Sequence, residues 1–244
     1  MRRGRFRTAG AAPTAALVAL LLAGCAPSPG PAPDAAAGKP AARAEVPDAA
    51  LPPVVDRVPT TDRVVFLTYD DGAERDPGFA DVIRAHRLPV TLFLTENVAG
   101  PAYGRFARLR SVGASLQNHT LEHRSLRGLP YAGQRAEICG QRRKLDSRFG
   151  IRPHLLRPPH GTYDTTTLRA AADCGVTALV LWRATAGAGG DLVFTGGEQR
   201  LRPGDIIAVD PDEPAGPPPG ETTLRLLRTI GEQGLAVGRL EDYL

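Results

Sequence analysis

The sequence has little cysteine, few aromatic residues and, once its N-terminus is set aside, no excess of charge. Three cysteines among 244 residues are too few for a disulfide-dense scaffold. Four of the 30 basic residues lie in the first 24 positions, which hold no acid, and the remaining chain has 26 residues of each sign. A chain without net charge lacks the electrostatic footprint that nucleic acid requires, so no nucleic-acid partner is expected. The 42% of apolar residues allow a sizeable core and exclude wholesale disorder.

Residues 1–24 are predicted to form an export signal. A basic start precedes nine apolar residues, 15–23, a run too short for a bilayer span of ~20 residues. The run ends in Leu22-Ala-Gly-Cys25, which resembles the bacterial lipoprotein box, whose cysteine is lipidated. We therefore expect a lipoprotein signal peptide, a lipid anchor on Cys25 in the bilayer, and a location at the outer face of the cytoplasmic membrane. An ordinary signal peptide cut nearby is the alternative.

Residues 25–60 are predicted to be a disordered tether, because they are rich in proline and alanine and lack aromatic residues. The folded domain is then expected to span residues 61–244. It contains Cys139 and Cys174, which could form a disulfide or remain two buried thiols.

The folded part is predicted to be an α/β domain with a parallel sheet, because apolar runs alternate with helical patterns. Helices are expected after Asp76-Pro77, over Tyr131–Phe149, after Asp164, and near the C-terminus up to Gly234. The seven predicted strands fit a closed or nearly closed barrel, and an open doubly wound sheet is the structural alternative. These strands are 64–69, 89–94, 114–118, 155–157, 177–182, 205–209 and 235–237.

Polar side chains gather where the predicted strands end. In a parallel barrel these ends share one face, which is where such enzymes build their sites. The residues concerned are Asp70, Asp71, His119, Arg157, Trp182 and Asp210.

The pattern His119-x-x-x-His123 places two imidazoles at a spacing that can chelate one metal ion. With Asp71 it forms an Asp-His-His set that leaves a position open for water, while Asp70 stays free as a base. The segment His119-x-x-Glu122-His123 also matches the inverted zinc-protease motif, which expects a long helix around it.

Three motifs in this order carry a resemblance: Thr68-Tyr-Asp-Asp-Gly72, His119-Thr-x-x-His123 and Arg157-Pro-Pro-x-Gly161. The chain from about residue 62 to 244 resembles the polysaccharide deacetylases, the nodulation-protein-B-like domain of chitin and peptidoglycan deacetylases. The resemblance implies a distorted seven-stranded (β/α) barrel. It also implies metal-dependent removal of N-acetyl, or sometimes O-acetyl, groups from an acetylated cell-wall or chitin-like polysaccharide.

The resemblance further implies a role for each matching residue. Asp70 would be the general base and Arg157 would orient it. Asp71, His119 and His123 would bind a divalent metal, and zinc is expected. The substrate is expected to contact Tyr69, Pro159, Trp182 and Asp210.

The last two motifs of the family differ here. Ala208-Val-Asp210 stands where the family has Leu-x-His, whose histidine is the catalytic acid. We hypothesise that His160 or a protonated Asp210 supplies this acid. The alternative function is a catalytically weak member that binds polysaccharide, and the inverted-motif protease is a third hypothesis.

Overall fold

The computed structural model describes residues 50–187, 189–209 and 217–244, in which strands and helices alternate. The strands are β1 (Val54–Val55), β2 (Val64–Tyr69), β3 (Thr91–Leu94), β4 (Ser115–Asn118), β5 (Leu155–Leu156), β6 (Ala178–Val180), β7 (Ala184–Ala186), β8 (Leu192–Phe194), β9 (Ile206–Val209) and β10 (Ala236–Val237). The helices are α1 (Phe79–His86), α2 (Glu96–Ser111), α3 (Tyr131–Phe149), α4 (Thr165–Asp173) and α5 (Pro219–Glu232). The signal peptide, Cys25, most of the tether and Asp210 lie outside the described residues.

The strands form one sheet in the order β1-β6-β5-β4-β3-β2-β9-β7-β8, with β10 beside β2. Every pairing between named strands is parallel except that of β7 with β8. Residues 181–183 alone separate β6, which pairs with β5, from β7, which pairs with β9. The strands β6 and β9 stand at the two ends of the row β6-β5-β4-β3-β2-β9, and the short segment from β6 to β7 connects these ends. The sheet therefore curls into the predicted distorted barrel.

The seven predicted strands are all present, each within a few residues of its expected limits. Their β-branched and apolar side chains suit a sheet that is covered on both faces, as β2 and β3 show by their almost complete burial. The expected (β/α) barrel is confirmed, and the open doubly wound sheet is wrong.

Four of the five helices begin and end near their predicted positions. Asp164 caps α4 through a capping box with Thr167, and Gly150 ends α3 in the left-handed conformation. Helix α2 is not predicted, because its sequence contains Pro101 and two glycines, which disfavour a helix. The structure accommodates them with a kink at Ala102, where φ is −120° and ψ is 16°.

The folded part begins earlier than residue 61, so this boundary is corrected. Val54 and Val55 pair with β6, and Val58 is buried with its N–H bonded to the Gly204 carbonyl at 2.8 Å. The many prolines of the preceding segment obscured this short apolar strand. The hairpin of β7 and β8 is also new, since its glycine-rich surroundings resemble a loop.

The core surrounds the strands on both sides. One cluster, with Phe66 and Phe93, lies inside the barrel, and two others lie between the strands and the helices. Cys139 and Cys174 form a disulfide that joins α3 to the end of α4, which settles the open question of their state. Among the described residues, no helix is both long and apolar enough to cross a bilayer.

Candidate active site

A pocket of about 250 Å³ opens at the carboxyl ends of the strands. Its position follows from the parallel sheet, because the residues after β2, β4 and β6 and the last residues of β9 all reach this face. The lining residues are Asp70, His119, His123, His160, Trp182, Thr185, Ala208 and Val209.

Asp70 is held by Arg157, as the resemblance implies. Arg157 Nη1 donates to Asp70 Oδ1 at 2.8 Å, and its Nη2 donates to Thr68 Oγ1 at 2.7 Å. The guanidinium is completely buried and lies 4.4 Å from the ring centre of Phe93 inside the barrel. The Arg157 guanidinium is therefore held in one position, buried behind Asp70.

The charge of Arg157 also decides the ionisation of Asp70. Burial alone would raise the pKa of Asp70, but the Arg157 charge, with smaller contributions from His119 and His123, outweighs burial and lowers the pKa. Asp70 is consequently an anion at neutral pH, and a third of its side chain remains exposed to the pocket.

Asp71 points away from its neighbour and is buried. Its Oδ1 accepts the N–H of Thr95 at 2.8 Å. Burial raises the pKa of Asp71 to about 7, and the hydrogen bonds from Thr95 offset only part of this effect. The negative charges of Asp70 and Glu74 add to this increase.

His119 and His123 present their Nε2 atoms to each other at 3.1 Å. His119 is buried, and its Nδ1 donates to the Arg157 carbonyl at 2.7 Å, because a carbonyl oxygen can only accept. The proton is thereby fixed on Nδ1, and Nε2 keeps a lone pair for a ligand. Burial lowers the pKa of His119 to about 4, so the ring is neutral at pH 7.

These three residues fit a divalent metal. One ligand atom from each of Asp71, His119 and His123 lies within 4.8 Å of the other two. Two imidazoles and one carboxyl group form a donor set typical of zinc, and the orienting bond on Nδ1 of His119 is the usual accompaniment of a metal-bound histidine.

The inverted-motif hypothesis is wrong, since it needs a helix that carries both histidines. Residues 119–130 connect β4 to α3 without a helix, and Glu122 is exposed. The protease alternative is therefore dropped.

His160 and Trp182 also line the pocket. The His160 ring centre lies 4.9 Å from that of His123. His160 has a φ of 59°, an uncommon conformation for a non-glycine residue and one that often marks a functional position. The Trp182 ring lies close to Gly161, where an added Cβ would be 3.0 Å from the ring atom Cη2 of Trp182.

Two residues that were predicted to bind substrate do not line the pocket, so their assignment as substrate-binding residues is corrected. Tyr69 is completely buried between the barrel and α5, where its hydroxyl bonds to Thr223 Oγ1 at 2.6 Å. Pro159 is buried within a short turn and does not line the pocket. Asp210 lies outside the described residues, so its predicted contact with substrate remains a prediction.

The alternation of side chains along β2 would have excluded Tyr69. Successive strand residues face opposite sides of a sheet, so Thr68 shares the inner face with Asp70, whereas Tyr69 faces the helices. The same alternation places Thr68 on the inner face, where it accepts a hydrogen bond from Arg157. The motif comparison did not identify this contact. Thr185, Ala208 and Val209 were missed because the hairpin and the last motif depart from the family pattern.

Comparison with known proteins identifies the class. The sequence pattern of the polysaccharide deacetylases matches residues 57–179. A chitooligosaccharide deacetylase from Bradyrhizobium sp. (strain ANU 289) is 30% identical over 166 residues, which cover 65% of this chain and 74% of that protein. The chain thus belongs to the polysaccharide deacetylase family, whose members are hydrolases that cleave the C–N bond of an amide.

Other relatives vary in how much of the chain they match. An uncharacterized protein from Streptomyces coelicolor is 68% identical over the whole of both chains. A peptidoglycan-N-acetylglucosamine deacetylase from Bacillus cereus is 28% identical over 111 residues, covering 45% of this chain and 40% of that protein.

Solved structures share the fold at low sequence identity. A carbohydrate esterase family 4 pseudoenzyme from Bacillus anthracis superposes with a TM-score of 0.68 and 17% identity, covering 79% of this chain and 69% of the other. A family 4 carbohydrate esterase from Streptomyces lividans, in complex with acetate, has a TM-score of 0.59 and 21% identity, covering 72% and 91%. At these identities the likeness supports the fold alone.

Proposed function

We propose that this protein is a metal-dependent deacetylase that removes N-acetyl, or alternatively O-acetyl, groups from a cell-wall or chitin-like polysaccharide. The observation that carries the proposal is that ligand atoms of Asp71, His119 and His123 lie within 4.8 Å of one another, while the two histidines and an ionised Asp70 line one pocket. The relatives named as chitooligosaccharide and peptidoglycan-N-acetylglucosamine deacetylases support this substrate class.

Asp71, His119 and His123 are the proposed metal ligands, and zinc suits their nitrogen and oxygen atoms best. A divalent ion bound there would act as a Lewis acid on the acetyl group. The Nδ1 bond of His119 to the backbone keeps this ring oriented.

Asp70 is the proposed general base. It accepts a proton from the water that attacks the acetyl carbonyl carbon, and Arg157 keeps it ionised and oriented for this task. The distance of 3.8 Å between Asp70 Oδ2 and His119 Nε2 places this carboxylate next to the ligand set.

His160 is the proposed acid. When the C–N bond breaks, acetate leaves with the carbonyl carbon, and the amine nitrogen must gain a proton. His160 lines the same pocket as Asp70, with its ring centre 4.9 Å from that of His123, and can donate this proton. Trp182 presents a ring face on which a sugar could stack, and Asp210 is retained as the alternative acid.

A second candidate is a polysaccharide-binding member with weak turnover. It is favoured by one observation: the last two residues of β9 in the pocket, Ala208 and Val209, offer no titratable group on this side. Under this candidate the pocket binds acetylated glycan and releases acetate slowly or not at all.

Acetate release distinguishes the two candidates. The assay uses acetylated chitooligosaccharides and peptidoglycan fragments, with zinc supplied or removed by a chelator. The native chain is expected to release acetate only with metal, and Asp70→Asn should lower kcat by ~10²–10⁴ because the base is lost. Binding of the same glycans without any acetate release, in native and variant alike, would instead establish the binding protein.

We also propose that the protein is exported and held at the outer face of the cytoplasmic membrane by a lipid on Cys25. The disulfide between Cys139 and Cys174 supports an oxidising compartment. Metabolic labelling with a fatty acid tests the anchor, and the label should be lost when Cys25 is replaced by serine.

A further inference from the structure

The loop that carries both histidines has an unfavourable backbone conformation. Thr120 and His123 have φ values of 75° and 57°, in the left-handed region that favours glycine. Such conformations are unfavourable for residues other than glycine and persist when the surroundings enforce them. Some part of the molecule must therefore hold residues 119–123 in place.

Glu137 of α3 makes direct contact with this loop. Its side chain is buried, and its Oε2 accepts the backbone N–H groups of both Leu121 and Glu122, each at 3.0 Å. These two residues lie between His119 and His123 in the sequence. One carboxylate oxygen thus fixes the peptide units that set the separation of the two imidazoles, with bonds strengthened by its charge.

The neighbouring residues of α3 complete the support. Asn118, which precedes the loop, donates from Nδ2 to the Ile138 carbonyl at 2.8 Å and accepts the Thr120 N–H at 2.9 Å. At Gly140 an added Cβ would lie 2.3 Å from Leu121 Cδ1, so the absence of a side chain lets Leu121 pack directly on the helix. We call residues 137–141 of α3 the loop cradle.

The loop cradle is itself anchored on both sides. Cys139 is joined to Cys174 at the end of α4, and Gln141 donates to the Leu94 carbonyl at the end of β3 with a distance of 2.6 Å. The position of the loop cradle is therefore fixed by a hydrogen bond to β3 and by a disulfide to α4. Through its bonds to Leu121 and Glu122, the loop cradle in turn restricts the backbone of the loop.

We propose that Glu137 is a positioning residue for the metal site, which acts by fixing the backbone between His119 and His123. The inference rests on the metal site of the proposed function. It predicts that metal affinity depends on an oxygen acceptor at position 137 and on the missing side chain at Gly140.

The test measures the zinc affinity of the full-length chain in competition with a chromophoric chelator. Glu137→Ala is expected to weaken zinc binding by 10–100-fold, the range usual for groups that orient metal ligands. Glu137→Gln keeps an oxygen that can accept both N–H groups and should bind zinc nearly as tightly as the native chain. Gly140→Ala is expected to weaken binding by displacing Leu121.

A matched control separates positioning from general stability. Ile230→Ala removes a buried side chain of α5, a helix that packs against α1 and β10, and should lower Tm while leaving the zinc Kd unchanged. If Glu137→Ala lowers Tm as Ile230→Ala does and binds zinc with native affinity, Glu137 has no positioning role. Should Glu137→Ala fail to fold, Gly140→Ala provides the same comparison.

The native chain tells the two proposals apart. If it binds no zinc, the proposed metal site is wrong and the role of Glu137 is lost with it. If it binds zinc and all three variants bind equally well, the metal site stands and only the positioning role is overturned.

Discussion

Arg157 contacts both the proposed base, Asp70, and one of the proposed metal ligands, His119. Its side chain holds Asp70 and Thr68, whereas its backbone carbonyl holds the Nδ1 proton of His119. The proposed base and one proposed metal ligand are thus bonded to the same residue, directly after β5. A guanidinium at this position supplies a fixed charge and several fixed donors, which a lysine could not reproduce.

Individual site residues could be recognised from the sequence when a motif placed them at a strand end. The motifs predicted Asp70, His119, His123, His160 and Trp182, which line the pocket, together with Asp71 and Arg157, because parallel strands bring their ends to one face. Glu137 could not be found, since its role depends on the packing of α3 against a loop that lies 15 residues earlier in sequence. Tyr69 was assigned from the motif alone, without regard to the alternation along β2.

Replacement of His160 tests its role as the acid. His160→Ala is expected to lower kcat for an N-acetylated oligosaccharide by ~10²–10⁴, because the amine must be protonated as it leaves. An O-acetyl ester of the same sugar should be affected much less, since an alkoxide is a better leaving group than an amide anion. Acetate release from the two substrates measures both effects.

The control for this variant is His86→Ala, which removes an exposed imidazole at the end of α1, away from the pocket. It should leave both rates unchanged. Equal rates for native chain and His160→Ala on the amide substrate would rule out the histidine as acid and leave Asp210 as the candidate.

At the scale of elements, the start of α4 is tied to the loop before α3. Asp164 accepts the N–H of Thr167 at 2.8 Å as the helix cap and the N–H of Gly128 at 2.9 Å with its other oxygen. Its side chain therefore joins a helix start to the segment that follows the two histidines. The bond from Gly128 is the largest contribution that lowers the pKa of Asp164, to about 2.

The acid stability of the protein should reveal this contact. Because the pKa of Asp164 is lower in the folded chain than in the unfolded chain, its contribution is complete above about pH 4 and is lost as the pH falls towards 2. Asp164→Asn keeps the cap on Thr167 but has no second acceptor for Gly128. We expect a lower Tm for this variant at pH 7.

Thermal denaturation from pH 7 down to pH 2 checks this expectation at constant ionic strength. The difference in Tm between the native chain and Asp164→Asn should shrink below pH 4, since protonation removes the same charge from the native residue. A difference that stays constant down to pH 2 would mean that the charge of Asp164 contributes nothing.

Elements with a clear local signal were predicted well, and those that depend on tertiary contacts were not. The capping box that starts α4 and the glycine that ends α3 depend only on residues close together in the sequence. Helix α2 forms in spite of Pro101, because Ala99, Phe106 and Leu109 bury their side chains in the core. Burial of this face outweighs a local preference that costs up to about 3 kcal/mol.

At the scale of the whole molecule, the segment before β2 covers the junction between β6 and β9. Leu179 and Leu181 donate backbone N–H groups to Pro53 and Val55, and Ile206 donates to Asp56. Residues 53–58 therefore contact both strands at the point where the chain passes from β6 to β7. This arrangement depends on partners more than a hundred residues away, which is why composition alone placed the segment in the tether.

Gly204 should be essential for this closure. Its φ is 86°, and an added Cβ would lie 1.9 Å from the carbonyl oxygen of Val58, whose own N–H is bonded to Gly204. Neither backbone can move without breaking that bond, so Gly204→Ala is expected to cost at least ~2 kcal/mol and to lower Tm by about 4–8 °C. Gly196→Ala is the matched control, because nothing lies within 4 Å of its added Cβ and its φ is not in the left-handed region. A native Tm for Gly204→Ala in the same melting experiment would show that residues 53–58 do not hold the barrel closed.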